Sequence, residues 1–494
     1  MAKVFIDDHE IEVPDGFNMI QAAKLAGIEI PHFCYHPAFE PEGSCRMCLV
    51  EIQGSPKLEL ACATRVKEGM RVASSAPKVE SARREVLEFL LAEHPLDCPI
   101  CDKAGECRLQ DYYEKYGRYE SRFREPRESR EKILPIGRGL ILDRERCVLC
   151  TRCVRFLRQV AGAGELGIFA RGVRTELGLF EDVKIDNDYS GNLTEICPVG
   201  AITDRDFRFK TRPWRLSRGD SICPHCGRGC NIRIEFEPES ERAGTARRVF
   251  RIKAKENPKV NGPWICDLGR YARPYLNDRR SGRIVMNKPE MATRLTWEKA
   301  LILLSAKLRG LRDAGWGKGP GLVLNTSMTN EELGLIRRIF PDAAAAGRVW
   351  FADPKPGESD KLLLTQERSP NVRGARALGF DLRPPDLDAI SENRALLLVF
   401  GTGLLDHYPV DRIRPALDKV QAKFLFAAHS GELDSLMDFL LPTALIAEKS
   451  GSLTNTAGSV QHFVPVFAPP GEARPEAEVL AELGRLLGNE GEAP

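Results

Sequence analysis

The cysteines are the most constraining feature of this chain, because all 15 of them fall into four groups with the spacing of metal ligands. Three groups contain four cysteines, and the other contains three cysteines with a histidine just upstream. The groups are Cys34, Cys45, Cys48 and Cys62; His94, Cys98, Cys101 and Cys107; Cys147, Cys150, Cys153 and Cys197; and Cys223, Cys226, Cys230 and Cys266. Thiolates in such sets bind iron–sulfur clusters or zinc. Four centres in one chain favour iron–sulfur clusters and a role in moving electrons.

Composition narrows the class of protein further. A chain of 494 residues with 43% hydrophobic residues is long enough for several globular domains. The net charge of +2 gives no reason to expect a nucleic-acid partner. The sequence has no apolar signal segment at its start and no apolar run of membrane-spanning length, so we expect no direct membrane insertion. In a reducing compartment, cysteines with this spacing are metal ligands rather than disulfides.

The first group lies in a segment with the pattern of a small β-rich domain. Short alternating runs predict strands at Val4–Ile6, Ile11–Val13 and Leu49–Ile52, and Asn18 is placed to cap a helix over Met19–Ala26. Two cysteines separated by two residues, with two more distant ones, are typical of a [2Fe–2S] cluster. The first gap is longer than in plant-type ferredoxins, and spacing alone leaves zinc possible.

The second group depends on a histidine. A helix predicted over Ala82–Ala92 should end before Pro95, which places His94 in the loop that leads to the three cysteines. An imidazole at this position completes a four-ligand set. Zinc and a [4Fe–4S] cluster both accept three thiolates and one imidazole, so the spacing leaves both open.

The third group has the spacing of a bacterial ferredoxin. Cys147, Cys150 and Cys153 are each separated by two residues, and Cys197 is followed by Pro198. The positions that would complete a second run of cysteines are Asn187, Ser190 and Leu193. The pattern therefore predicts one [4Fe–4S] cluster here and the loss of its twin.

The fourth group opens a new part of the chain. Strands predicted over Ile232–Phe236 and Val249–Ile252 would bring Cys266 back beside the other three cysteines. Zinc ribbons have similar spacing, so a [4Fe–4S] cluster and zinc both remain possible.

A glycine motif at 162–167 matches the GxGxxG pattern of dinucleotide-binding loops. Such loops leave a strand and open a helix, whereas the preceding Thr151–Val160 has the pattern of a helix. We therefore expect no dinucleotide there, and no catalytic residue is predicted anywhere in the chain.

The four spacings, in this order, resemble the large iron–sulfur subunit (the G or 75-kDa-type subunit) of bacterial respiratory NADH:quinone oxidoreductase, complex I. The strings that carry the likeness are Ser44-Cys45-Arg46-Met47-Cys48, the run from His94 to Asp102, Arg152-Cys153-Val154-Arg155-Phe156 and Cys197-Pro198-Val199-Gly200-Ala201. The resemblance implies one [2Fe–2S] and three [4Fe–4S] clusters, with His94 an iron ligand.

The same resemblance implies partners and a location. Electrons would come from flavin-bearing, NADH-binding subunits and leave towards ferredoxin-like and quinone-site subunits. Proton translocation would take place in membrane subunits, and this chain would lie peripherally on the cytoplasmic side of the inner membrane. The alternatives are an electron-transfer subunit of an NAD-linked hydrogenase or formate dehydrogenase, and a zinc-stapled scaffold without a redox role.

The remainder of the chain resembles the molybdopterin-oxidoreductase fold more weakly, through the strings 264–270, 295–297, 440–442 and 448–451. Buried strands are predicted at Ala395–Phe400 and Lys423–Phe426, and an amphipathic helix over Trp297–Leu308. No cysteine follows Cys266 to ligate molybdenum. We therefore expect a shortened, catalytically silent domain without molybdenum or pterin.

The predicted fold class is multidomain, mixed α+β and α/β. We expect five domains: a β-grasp [2Fe–2S] ferredoxin domain at 1–78, a histidine/three-cysteine [4Fe–4S] domain at 79–135, a bacterial-ferredoxin-like [4Fe–4S] domain at 136–215, a molybdopterin-oxidoreductase-type [4Fe–4S] domain at 216–275, and the silent α/β domain at 276–494.

Overall fold

The computed structural model describes residues 1–180, 183–239, 247–287, 292–313 and 319–488. The chain divides into two compact units, Met1–Leu216 and Ser217–Pro494. Within the described ranges, no helix combines the length and apolar character needed to cross a membrane.

The first unit has ten strands and five helices among its described residues. The strands are β1 Ala2–Ile6, β2 His9–Val13, β3 Leu49–Ile52, β4 Glu59–Leu60, β5 Arg71–Ala73, β6 Leu134–Gly137, β7 Leu140–Leu142, β8 Leu166–Phe169, β9 Glu176–Leu179 and β10 Ile202–Asp204. The helices are α1 Met19–Leu25, α2 Pro77–Glu93, α3 Arg108–Tyr116, α4 Arg152–Phe156 and α5 Asn192–Ile196.

The amino-terminal sheet has the strand order β2-β1-β5-β3-β4, with β1 parallel to β5 and the other neighbours antiparallel. Its first hairpin turns through Asp7 and Asp8, which both have positive φ, as a tight hairpin turn requires. The predicted cap is confirmed: Asn18 accepts a hydrogen bond from the Gln21 amide at 3.0 Å and forms a capping box with it. The apolar side chains of β1 and α1 then form one core.

The rest of the first unit has two small sheets, β10-β7-β6 and β8-β9. Helix α4 continues into a π-helical turn at Leu157–Ala161, and Gly162 follows with a φ of +69°. The glycine motif thus leaves a helix and enters β8, which is the reverse of a dinucleotide-binding loop. This order agrees with the expectation drawn from the sequence.

The second unit has twelve strands and ten helices in its described part. The strands are β11 Ser217–Ile222, β12 Asn231–Glu237, β13 Arg248–Ala254, β14 Val285–Met286, β15 Thr293–Arg294, β16 Gly321–Leu324, β17 Val349–Phe351, β18 Leu397–Phe400, β19 Lys423–Ala427, β20 Phe439–Pro442, β21 Gly451–Thr454 and β22 Val460–Phe463. The helices are α6 Asp267–Arg270, α7 Arg273–Asn277, α8 Trp297–Asp313, α9 Asn330–Ile339, α10 Pro341–Ala345, α11 Val372–Ala377, α12 Leu387–Glu392, α13 Leu404–His407, α14 Val410–Leu417 and α15 Glu476–Leu486.

A seven-stranded sheet with the order β15-β14-β20-β19-β18-β16-β17 organises this unit, and its five strands from β20 to β17 are parallel. The sheet has an apolar core on each face. In β18, Leu398 and Phe400 belong to one core, whereas Leu397 and Val399 belong to the other. A parallel sheet covered on both faces needs continuous apolar strands, which explains why they were visible in the sequence. The antiparallel sheet β11-β12-β13 precedes it.

The structure contains the predicted strands and helices. The mixed α/β, multidomain class is confirmed, and every predicted strand is present, with ends shifted by up to two residues. The predicted helices are also present, but α2 and α8 extend beyond the predicted ranges. The helix predicted over Thr151–Val160 is regular only to Phe156. The domain limits within the chain stay predictions.

A buried ion cluster joins three elements of the second unit. The Lys449 ammonium lies 2.7 Å from Glu332 of α9 and 2.8 Å from Glu476 of α15, and all three side chains are almost or fully buried. Although burial alone would lower it, the two carboxylates raise the pKa of Lys449. Burial raises the pKa of Glu476 to about 7, against the opposing effect of Lys449.

We predict that Lys449→Met destabilises the second unit by about 3–5 kcal/mol, because it leaves two buried carboxylates without their cation. In the folded variant the pKa of Glu476, already raised by burial, rises further without its cation, so its ionisation should destabilise the variant more at pH 8 than at pH 6. Chemical denaturation at both pH values measures this difference.

The matched control is Lys255→Met, since Lys255 pairs with Asp220 at 2.7 Å but is 43% exposed. Its loss should change the free energy of unfolding by at most about 1 kcal/mol. Equal effects of the two substitutions would contradict the importance assigned to burial.

Candidate metal centres

The first cysteine group converges in the loops that follow α1 and precede β3 and β5. The Cys34 thiol is in hydrogen-bond contact with those of Cys45 and Cys62, and Cys48 contacts Cys62. Three of the four are fully shielded from solvent, and Cys45 is partly buried. The structure therefore brings all four predicted ligands together.

The second group is positioned by the end of α2 and the start of α3. His94 is the first residue after α2, as predicted, and Cys107 immediately precedes α3. His94, Cys98 and Cys107 line one cavity of about 430 Å³. Cys101 does not line it; its sulfur packs instead against the backbone of Gly200. Three of the four predicted ligands thus share a cavity.

Burial and, to a smaller extent, the nearby cation Arg146 lower the pKa of His94 to about 4. At neutral pH the imidazole is therefore uncharged and keeps a nitrogen lone pair free to bind a metal.

The third group surrounds a single small cavity. Cys147, Cys150, Cys153 and Cys197 all line it, together with apolar side chains of β9 and β10. The backbone between the cysteines is unusual, because Leu149 and Thr151 both have positive φ. Non-glycine residues rarely adopt this conformation, and such strain is concentrated at functional sites.

The fourth group lies in the second unit, around the hairpin between β11 and β12. The Cys223 amide donates to the Cys230 carbonyl at 2.8 Å, which closes the loop that contains Cys226. Cys266 immediately precedes α6. All four cysteines are at most 5% exposed, and Cys223 is close enough to the other three for their charges to interact.

Backbone amides hydrogen-bond to the sulfurs in a repeated pattern. The amide two residues after the cysteine donates to its sulfur at six positions in the second, third and fourth groups. The pairs are Cys101 with Lys103, Cys107 with Leu109, Cys147 with Leu149, Cys150 with Arg152, Cys223 with His225 and Cys266 with Leu268. Such bonds stabilise negative charge on sulfur and set the potential of a cluster.

Several thiols of the second, third and fourth groups are nevertheless held against ionisation in the chain alone. Burial raises the pKa of Cys147 to about 12, and those of Cys150 and Cys266 to about 11. Negative charge from neighbouring cysteines contributes to the same rise. Sulfur ligands that are buried, converging and supplied with amide donors fit a group that brings its own positive charge, as iron does.

A site for a single metal ion differs from a cluster site, because three or more ligands must surround one atom. In the described part of the chain, no three His, Cys, Asp or Glu side chains form a group that could hold one metal ion. The ligand assignments for individual clusters stay predictions.

Arginines join the first group to the third. The Arg155 guanidinium donates to the Cys34 carbonyl and, at 3.3 Å, to the Cys150 carbonyl. It also pairs with Glu42 at 3.1 Å. One side chain therefore fixes the backbone of a ligand in each group.

The second and third groups are joined by backbone and charge. The Arg108 amide, next to Cys107, donates to the carbonyl of Pro198, next to Cys197, at 3.1 Å. Arg146, just before Cys147, pairs with Asp97, just before Cys98, at 2.9 Å.

These links were not identified from the sequence. The strings around Cys153 contain Arg152 and Arg155, but neither residue had an assigned role. The sequence did contain one signal for these links, which is the pair of arginines inside a short apolar segment that carries a cysteine. Arginines are rarely buried without a specific partner, so this pair indicates that the segment contacts another part of the chain.

Family models match four stretches of the chain. They are described as a 2Fe-2S iron-sulfur cluster binding domain (residues 1–77), the NADH-ubiquinone oxidoreductase-G iron-sulfur binding region (83–122), the ferredoxin-like domain of NADH-quinone oxidoreductase subunit 3 (137–203) and molybdopterin oxidoreductase (426–486). The matches define the class: a multidomain iron–sulfur protein with ferredoxin-type domains.

Curated relatives make the likeness more specific. The G 2 subunit of NADH-quinone oxidoreductase from Rhizobium meliloti is 40% identical over 69% of this chain and 39% of its own length. The G subunit from Streptomyces coelicolor is 41% identical over 62% and 36%, and that from Mycobacterium bovis 43% over 56% and 33%. The chain is therefore similar to the G subunit of NADH-quinone oxidoreductase, as the cysteine spacing predicted. It spans only about a third to two fifths of the length of these relatives.

Among solved structures, a chain of an NAD+-reducing [NiFe]-hydrogenase in the H2-reduced state is 33% identical, with a TM-score of 0.39. The match covers 42% of this chain and 90% of that chain. A TM-score of this size does not establish a common fold.

We predict that Gly200→Ala reduces the iron bound by the second group. A Cβ at Gly200 would lie 2.2 Å from the Cys101 sulfur, so the thiol must move away from its present position. Iron and acid-labile sulfide content of the anaerobically purified protein measures the loss. Gly164→Ala is the matched control, because nothing lies within 4 Å of a Cβ there. Full iron content in Gly200→Ala would contradict the assignment of Cys101.

Proposed function

We propose that this chain is an electron-relay subunit of NADH:quinone oxidoreductase, complex I. The observation that carries the proposal is the set of cysteine groups, in which 11 of the 15 cysteines are buried. Three of the groups are held together in the first unit by direct hydrogen bonds and ion pairs. Electron transfer between centres requires such fixed spacing. The similarity to the G subunit of that enzyme supports the same function.

Each group would hold one cluster. The first, Cys34, Cys45, Cys48 and Cys62, would bind [2Fe–2S]. The other three groups, of which the second includes His94, would each bind [4Fe–4S]. When bound, the clusters supply one-electron carriers, which is chemistry that no side chain of this protein provides.

The chain's own residues would set the properties of those carriers. Burial excludes water from the sulfurs, and the amides of residues such as Leu149 and Arg152 donate to them. Both factors adjust how readily a cluster accepts an electron.

The partners follow from the same proposal. Flavin-bearing, NADH-binding subunits would deliver electrons, and ferredoxin-like and quinone-site subunits would receive them. The chain would lie peripherally on the cytoplasmic side of the inner membrane, and membrane subunits would translocate protons.

The sheet of the second unit would serve as a scaffold. Residues 426–486 match the molybdopterin-oxidoreductase model, but no cysteine follows Cys266 to bind molybdenum. We propose that this part binds neither molybdenum nor pterin. A formate dehydrogenase would need that ligand, and a hydrogenase catalytic site would need further cysteines.

We predict about 14 iron atoms and about as many sulfides per fully loaded chain, from one binuclear and three tetranuclear clusters. The loaded protein should be reduced by NADH only when the flavin-bearing subunits of complex I are added. Elemental analysis and the visible and EPR spectra measure both results.

The control for the second step is NADH without the flavin-bearing subunits, which should leave the spectrum oxidised. Stoichiometric zinc without sulfide would overturn the proposal in favour of a zinc-stapled scaffold. One molybdenum per chain would overturn the assignment of a silent domain.

We also predict that His94→Cys lowers the reduction potential of the second cluster while its iron content is kept. Thiolate is negatively charged whereas this imidazole is neutral, so the cysteine adds negative charge to the cluster and disfavours a further electron. An EPR-monitored redox titration measures the potential. His9→Cys is a control, because His9 is exposed on β2 and lies outside the four cysteine groups. An unchanged signal and potential in His94→Cys would make His94 a bystander.

A further inference from the structure

Arg152 lies between the first and third cysteine groups. It is the first residue of α4, between Cys150 and Cys153 in sequence, and it is 5% exposed. Its guanidinium donates to the carbonyl of Tyr35, the residue after Cys34. It also donates, at 3.3 Å, to the carbonyl of Ile196, the residue before Cys197. One buried cation thus touches a loop of each group.

No carboxylate balances the charge of Arg152. Among the described residues, no Asp or Glu oxygen lies within ion-pair distance of its guanidinium, and its Nε is buried without a hydrogen-bond partner. Two other buried arginines nearby differ in this respect: Arg155 pairs with Glu42 at 3.1 Å, and Arg146 with Asp97 at 2.9 Å. An unpaired buried charge is strongly unfavourable.

Among the described residues, the charged groups that act most strongly on Arg152 do not include a carboxylate. Arg108 is a second nearby cation, and it is directed at the His32 ring at 3.2 Å. The groups close enough to attract Arg152 are the sulfurs of Cys150, Cys34 and Cys197. Cys150 and Cys197 belong to the third group, and Cys34 belongs to the first.

The missing charge is supplied when clusters are bound. A cluster held by four thiolates has a net negative charge, which becomes more negative by one on reduction. A cation buried between two such clusters stabilises the reduced form of each, and the low dielectric of the site strengthens the effect.

We propose that Arg152 is the shared countercharge of the first and third clusters, and that it raises the reduction potential of both. Arg152 is a positioning residue. It contacts the loops that carry the ligands, and it does not itself donate or accept the electron. This inference rests on the proposed function, because it requires clusters in both groups.

The test compares reduction potentials of the two clusters in the anaerobically purified full chain, measured by EPR-monitored titration. Arg152→Gln removes the charge but keeps hydrogen-bond donors. We expect the equilibrium constant for reduction of each cluster to fall about tenfold, which is about 59 mV for a one-electron couple. Arg152→Lys keeps the charge and should leave both potentials near those of the wild type.

Two further variants separate the countercharge from a general effect of charge. Arg155→Gln removes a cation that is already paired with Glu42, and Arg158→Gln removes an exposed one. Both should shift the potentials less than Arg152→Gln does.

The other outcomes separate a failure of this inference from a failure of the proposed function. Unchanged potentials in an iron-replete Arg152→Gln would overturn the inference, as would a shift confined to one cluster. If Arg152→Gln loses its iron, Arg152→Lys decides: normal potentials support the inference, whereas shifted potentials or lost iron indicate a structural role. Wild-type protein without iron and sulfide would instead contradict the proposed function itself.

Discussion

The burial of sulfur that must become negatively charged is the constraint on which the rest of the structure depends. Taking a thiolate out of water is unfavourable, and the raised pKa values of Cys147, Cys150 and Cys266 express that penalty. The fold compensates with backbone amides directed at the sulfurs and with arginines held nearby. The remaining compensation has to come from bound iron, so metal binding and folding of these loops are thermodynamically coupled.

This constraint also accounts for the way the first unit is assembled. Its sheets are small, and the segments between them are long loops that carry the ligands. Contacts such as Arg155 with Cys34 and Cys150, and Arg108 with Pro198, join loops that are distant in sequence. Loops held at several points have fewer alternative conformations, which keeps the spacing between centres constant. Electron transfer depends more on that spacing than on any single side chain.

Much of the local structure could be predicted from the sequence, because its causes are local. The Asn18 cap, the end of α2 at His94 and the apolar strands β18 and β19 each follow from patterns within a few residues. Cysteine spacing likewise identified the groups, although spacing by itself was also compatible with zinc. The roles of Arg152, Arg155 and Gly200 could not be predicted. The two arginines depend on partners about 45 to 120 residues away, and Gly200 depends on how closely the Cys101 sulfur approaches its backbone. No local pattern encodes either property.

The repeated amide–sulfur bonds have a consequence for the tolerance of these loops to substitution. A main-chain donor is present whatever the side chain, so residues such as Leu149 or Leu268 could be exchanged without removing the bond to sulfur. Proline is the exception, because it has no amide hydrogen. The sequence agrees with this asymmetry: proline follows Cys98, Cys197 and Cys223 directly, yet it occurs two positions after none of the 15 cysteines. The electronic environment of the sulfurs is thus encoded mainly in backbone geometry, and it is insulated from most single changes of side chain.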